Sequence, residues 1–233
     1  MKKYKLTNET IEYKGHTLYR IEALRDFSDV HEGEKGGFVE SENNLSHYDN
    51  CWIYDCAKVY DDAIVYGDAK IKDYVNVFNY SEIYGNAVIF DNVKIYDHAK
   101  ISGNAYISGN SEIYEYASIH GSAFVGDFAK VRGTSTVIDD AIIGNYAIID
   151  GIAFIDGHTK IVGDAIVNKN SDYIVFKNWW SSGRWFTWTK SNNMWSVGCF
   201  YGTGEELIKK AYDSFELSGI QYEKIVKYVE SIR

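Results

Sequence analysis

Six histidines, His16, His31, His47, His98, His120 and His158, are the side chains of this 233-residue chain best suited to moving protons near neutral pH. His120 has the most suggestive company. Tyr66, Tyr84, Ser102, His120, Ile138 and Asp156 recur every eighteen places. In a coil of that turn length Ser102 and His120 stand one ladder spacing apart, about 4.8 Å. A hydroxyl beside an imidazole begins an activated nucleophile, but Ile138 fills the next place and no oxyanion donor is evident. The column therefore predicts no catalytic constellation. His98, His120 and His158 do not converge as a three-histidine zinc site requires, and no metal is expected. Cys51, Cys56 and Cys199 are odd in number and spaced unlike a zinc motif, so they read as reduced thiols.

A second set of residues is suited to binding. Trp179, Trp180, Trp185, Trp188 and Trp195 crowd one stretch with Arg184, Phe186, Phe200 and Tyr201. Strand alternation puts Arg184, Phe186 and Trp188 on one side and Trp185, Thr187 and Thr189 on the other, more aromatic surface than a small meander can bury. Trp179, Trp180, Arg184, Trp185, Trp188 and Trp195 are thus expected to form a recognition surface for a protein or a stacked base or sugar. The competing reading packs one face on the neighbouring coil and the other on helices.

The elements that must position these groups are set by a repeat. Twenty hexapeptides run unbroken from Cys51 to Asn170, with Ile or Val at every third place, Ala at thirteen first places and Gly, Asp or Asn at eighteen fifth places. Six residues are three pleats, so first and third places share the inward face, and the fifth sits at a corner that favours left-handed backbone angles. Three strands close a triangular turn. Stacked turns make a parallel β-helix of between six and seven turns, roughly 30 Å tall.

The remaining chain reads as caps over exposed strand edges. Residues 1–50 supply an N-terminal β cap: a hairpin in KYKLTNETIEYKGHTLYRIEAL, then HEGEKGGFVESENNLS as a loop entering the coil. Residues 171–233 supply a three-stranded meander around Tyr173–Lys177, Arg184–Thr189 and Trp195–Tyr201. Two helices follow, one opened by Thr203 with Glu206 and running to about Phe215, the other opened by Ser218 with Gln221 and running to about Ile232.

The aliphatic residue followed four places later by Ala, Ser, Val or Thr resembles the hexapeptide repeat of left-handed parallel β-helices, best known from acyltransferases. That resemblance implies the left-handed winding, and for an enzyme it implies acyl-CoA as co-substrate, a histidine base (His120 is the least unsuitable) and trimers. Such enzymes usually shape the acceptor pocket with an extruded loop, which the unbroken block lacks. The combination of YRIEALRDF, GGFVESENNLS, the repeats and WWSSGRWFTWT…VGCFYGTGEEL resembles proteins common in phages and prophages, often labelled acyltransferases or polymer-forming proteins from the repeat alone.

Two outward columns suggest contacts. Tyr60, Phe78, Tyr96 and Tyr114 form an aromatic ladder that would stabilise a sheet with or without a ligand. Val88, Tyr106, Phe124 and Ile142, in line with Trp52 and interrupted by Lys70, form an apolar row that a partner subunit, in a dimer or trimer, or the C-terminal segment would cover. The net charge of −9, with 16 Asp or Glu against 9 Lys or Arg in the repeats, argues against binding a nucleic-acid backbone. No membrane span or signal-peptide core is visible, so a cytoplasmic protein is expected, in the host cytoplasm if phage-encoded.

The leading expectation is a non-enzymatic, phage-associated binding protein, an inhibitor of a host defence component acting through protein contacts, without cofactor. The alternatives are an acyltransferase using acyl-CoA and a small-ligand sequestering protein.

Overall fold

The computed structural model describes residues 2–178 and 183–232. Its body is a left-handed parallel β-helix of about seven turns, in which two-residue strands from Trp52–Ile53 to Ile166–Val167 stack at eighteen-residue intervals into three sheets. Lys58–Val59 begins the first face, Ile64–Val65 the second and Trp52–Ile53 the third. Register is in step throughout, as in Val88 opposite both Lys70 and Tyr106.

The hexapeptide explains this geometry place by place. First and third residues point inward and are buried from Cys51 and Ile53 to Ala165 and Val167. Alternating small and branched side chains fill a narrow prism. The fifth residue has positive φ in every unit from Asp55 to Gly163, Glu115 included. Aspartate at this corner adds a hydrogen bond that glycine cannot: Asp73 and Asp91 donate their N–H groups to Asp55 and Asp73 Oδ2 at 3.3 and 3.0 Å, and Gly109 N–H reaches Asp91 Oδ2 at 2.9 Å. One side chain thus tolerates the corner and ties consecutive turns.

Even-numbered residues of the stack donate their N–H to the carbonyl one turn ahead, as Trp52 to Ala69 and Lys70 to Ala87. Each end of the coil exposes backbone groups without a next turn to bond. At the first end, donors meet carbonyls, and Glu40 Oε2 accepts the Asp61 N–H at 2.7 Å. Lys3 Nζ donates to Cys51 O (2.8 Å), Arg20 Nη1 to Asp55 O (3.1 Å), and Asn44 Nδ2 to Asp61 O and Ala63 O (2.8 and 2.9 Å). At the other end Tyr173 Oη donates to Phe154 O (2.8 Å), and acceptors meet N–H groups. Phe154 N–H donates to Asn170 Oδ1 (2.8 Å), Lys160 N–H to Thr187 Oγ1 (3.0 Å) and Ile166 N–H to Ser191 Oγ (2.7 Å). Buried backbone groups must be paired, and here side chains complete the ladder.

The N-terminal cap is strands β1 (Tyr4–Tyr13), β2 (His16–Ala23) and β3 (Lys35–Val39). The expected entry loop is corrected here: β3 lies parallel to Lys58–Val59 and extends the first face, with β2 and β1 antiparallel beyond it. Gly36 and Gly37 allow this approach, since a Cβ on either would sit 2.5 Å from a coil carbonyl, Ile53 O or Ala57 O. That glycine pair was the overlooked strand signal.

The C-terminal unit has four antiparallel strands rather than three: β4 (Tyr173–Lys177), β5 (Trp185–Thr189), β6 (Met194–Val197) and β7 (Phe200–Gly202). The expected third strand is split by a turn at Gly198, where φ is +58°. Helix α1 (Gly204–Ser214) opens with the expected Thr203–Glu206 capping box. Helix α2 (Glu216–Ile232) starts at Glu216, so Ser218 lies inside it and caps nothing. No helix among the described residues is long and apolar enough to cross a membrane.

Candidate active site

The fold brings together three residues that lie far apart in the chain: His16, Glu40 and Asp61. His16 opens β2 directly after the Lys14–Gly15 turn, both of whose residues have positive φ. Glu40 follows β3, and its N–H donates to Val59 O, so it leaves the sheet beside the corner that contains Asp61. His16 Nδ1 lies 3.0 Å from Glu40 Oε1, and His16 Nε2 lies 3.5 Å from Asp61 Oδ1. The Asp61 N–H donates to the other Glu40 oxygen at 2.7 Å. Glu40 is thereby pinned from two sides and orients the imidazole.

The electrostatics follow from this contact. The hydrogen bond to Glu40 raises the His16 pKa above its ordinary value, with both carboxylates adding attraction. The same bond lowers Glu40. An ionised Glu40 can only accept, so it requires the proton on Nδ1 and leaves the Nε2 lone pair to act as base in the neutral ring. Tyr60 stands beside the imidazole at 5.1 Å between ring centroids, and its buried hydroxyl has no hydrogen-bond partner among the described residues. Burial pushes that phenol's pKa upward.

A cleft of about 410 Å³ adjoins this group, lined by Ser41, Asn43, Asn44, Asp61, Asp62 and Ile64 among others. Two carboxylates, with the Asn43 amide beside them, make it suited to a cationic guest. His16, Glu40 and Asp61 also offer one nitrogen and two carboxylate oxygens within 4.8 Å of one another, an arrangement that could receive a divalent cation.

The histidines singled out from sequence sit elsewhere. His120 and Ser102 occupy adjacent turns of the second face, but among the described residues no hydrogen bond joins them and no carboxylate orients the ring. His98 is sandwiched between Tyr80 and Tyr116 at 5.0 and 4.8 Å, a stabilising stack. His158 Nδ1 is 3.6 Å from Asp140, too far for a hydrogen bond, and its ring leans on Trp185.

Trp188 and Trp195 lie in the C-terminal core with Phe186, Leu207, Tyr222 and Val226, which leaves Trp185 half-buried and Arg184 exposed at the surface. Trp179 and Trp180 lie outside the described residues. The ladder is stacked: Tyr60, Phe78, Tyr96 and Tyr114 follow at 5.2, 5.0 and 4.9 Å. Its first member is buried under the N-terminal hairpin, against Tyr13. In the apolar row Trp52 is buried beneath Tyr4 and Phe27, Val88 and Phe124 are half-buried, and Tyr106 and Ile142 are exposed.

Sequence reasoning missed His16, Glu40 and Asp61. Charged residues at a hairpin turn, after a glycine pair and at a repeat corner carry no local sign of convergence, and only the pairing of β3 with the coil unites them.

Comparison with known proteins adds one finding. No family model matches the chain. Over 63 residues, 24% of this chain, it is 38% identical to a protein of Escherichia coli (strain K12) named uncharacterized acetyltransferase YdcK. The chain covers 19% of the length of that relative. This likeness is to an acetyltransferase and not to an inhibitor of host defence. It overturns the expectation of a non-enzymatic, phage-associated inhibitor in favour of its alternative.

Proposed function

We propose that this chain is a hexapeptide-repeat acyltransferase that moves an acyl group from acyl-CoA to an amine, with His16 as general base. The observation that carries this reading is the His16–Glu40 pair beside an acidic cleft. The likeness to an acetyltransferase supports it.

The reaction follows from what each group can do. Asp61 and Asp62 attract the cationic acceptor. His16 Nε2 takes the proton that the amine must lose to attack, and Glu40 stabilises the imidazolium through Nδ1. The new N–C bond forms at the thioester carbonyl, the C–S bond breaks, and the thiolate leaves with the electron pair and is protonated as free coenzyme A. A base held by a carboxylate accelerates such a step by about 10² to 10⁴.

The test is thiol release from acetyl-CoA in the presence of primary amines and matched alcohols. Amine-dependent release that falls at least about a hundredfold in His16→Ala, and not in His120→Ala, supports the assignment. Release lost in His120→Ala and kept in His16→Ala would move the base to the second face. No release with any acceptor, from protein that retains its thermal transition, would reject acyl transfer.

A further inference from the structure

A second cavity lies in the C-terminal unit, between the β6–β7 turn and helices α1 and α2, with a volume of about 410 Å³. Its floor is apolar, built by Val197, Leu207 and Ala211. Arg184 and Lys210 stand on its wall, and among the described residues no carboxylate lines it. That bias is notable in a chain of net charge −9. Among the described residues neither cation is in an ion pair, although acidic side chains outnumber basic ones. Tyr222 also lines the cavity. It is 7% exposed, and its hydroxyl has no hydrogen-bond partner among the described residues.

We propose that this cavity binds a small amphipathic carboxylate, with the carboxylate held by Arg184 and Lys210 and an apolar chain laid on the floor of Val197, Leu207 and Ala211. The guanidinium fork matches a carboxylate in two hydrogen bonds, Lys210 adds a point charge, and the Tyr222 hydroxyl is a ready donor. The volume falls within the range of small-molecule sites, and the pattern of an apolar lining with few polar groups is that of such sites. This inference stands independently of acyl transfer at His16, which is built from the opposite end of the coil.

The experiment is a nuclear magnetic resonance titration of the whole isotope-labelled chain with octanoate, with octanol as the neutral analogue and with acetate as the head group alone. Octanoate should shift the amides of Lys210, Ser214 and Ser218 saturably and bind at least about tenfold more tightly than octanol or acetate. In Arg184→Met/Lys210→Met its affinity should fall by about tenfold or more, to the level of octanol, while octanol binding is unchanged. Octanol binding as tightly as octanoate, shifts confined to other parts of the chain, or undiminished octanoate binding by the double variant would each overturn the proposal. The octanoate and octanol comparison needs no substitution, so it decides the question even if the variant is unstable.

Discussion

The two ends of the coil share one backbone pattern and are closed by caps of different build. Carbonyls of the first turn are met by Lys3, Arg20 and Asn44, and the Asp61 N–H by Glu40. N–H groups of the last turn are met by Asn170, Thr187 and Ser191, and the Phe154 carbonyl by Tyr173. A parallel coil is polar along its axis, and two bare coils stacked head to tail would satisfy each other. The caps cover the strand edges through which copies would stack. The N-terminal end also gathers His16, Glu40 and Asp61, whereas the C-terminal end carries an independent aromatic core and the cationic cavity.

The sharpest way to break the comparison is to open one cap and leave the other. Trp195→Ala removes the centre of the C-terminal core and should cost about 3 to 5 kcal/mol. Hydrogen exchange should then show β4–β7 and both helices opening, with protection across the first turns of the coil retained. At the opposite end Asn44→Ala strips the Asp61 and Ala63 carbonyls of a buried donor and should cost about 2 to 3 kcal/mol, read as a lower thermal midpoint. Thr187→Val keeps the shape of the side chain but removes the acceptor of the Lys160 N–H, at about 1 to 2 kcal/mol. Its signature is faster exchange of that amide.

The smallest effect is a pH dependence confined to the N-terminal end. His16 has a raised folded pKa, so its contribution to stability is complete below its unfolded value near about 6.5 and is lost as pH rises through the folded value. Glu40 is lowered, so its contribution is present above its unfolded value and lost as pH falls through the folded one. The clamp should be strongest between these limits. Denaturant midpoints of wild type and His16→Ala should differ within that window and converge on its alkaline side.

The coil was legible in the sequence because every one of its residues serves a period: Ile107 must face inward and Asp91 must turn the corner whatever the neighbouring units do. The caps were legible only in part. The hairpin and Thr203 box have local signals, but β3 owes its strand to an edge that only the folded coil provides, and the division of β6 from β7 depends on Gly198. Trp188 and Trp195 look like surface in the sequence because alternation names two faces without saying what covers them; α1 and α2 do. The site was illegible for the same reason, since its three residues meet through a pairing between cap and coil.

The central claim is that His16, oriented by Glu40, is the base of an acyl transfer. It is tested most directly by the pH dependence of amine-dependent thiol release from acetyl-CoA, comparing wild type with Glu40→Gln. The account predicts an acidic limb set by the raised His16 pKa in the wild type and a limb displaced to lower pH in Glu40→Gln, together with a lower maximal rate. Limbs that coincide, with equal maximal rates, would contradict it.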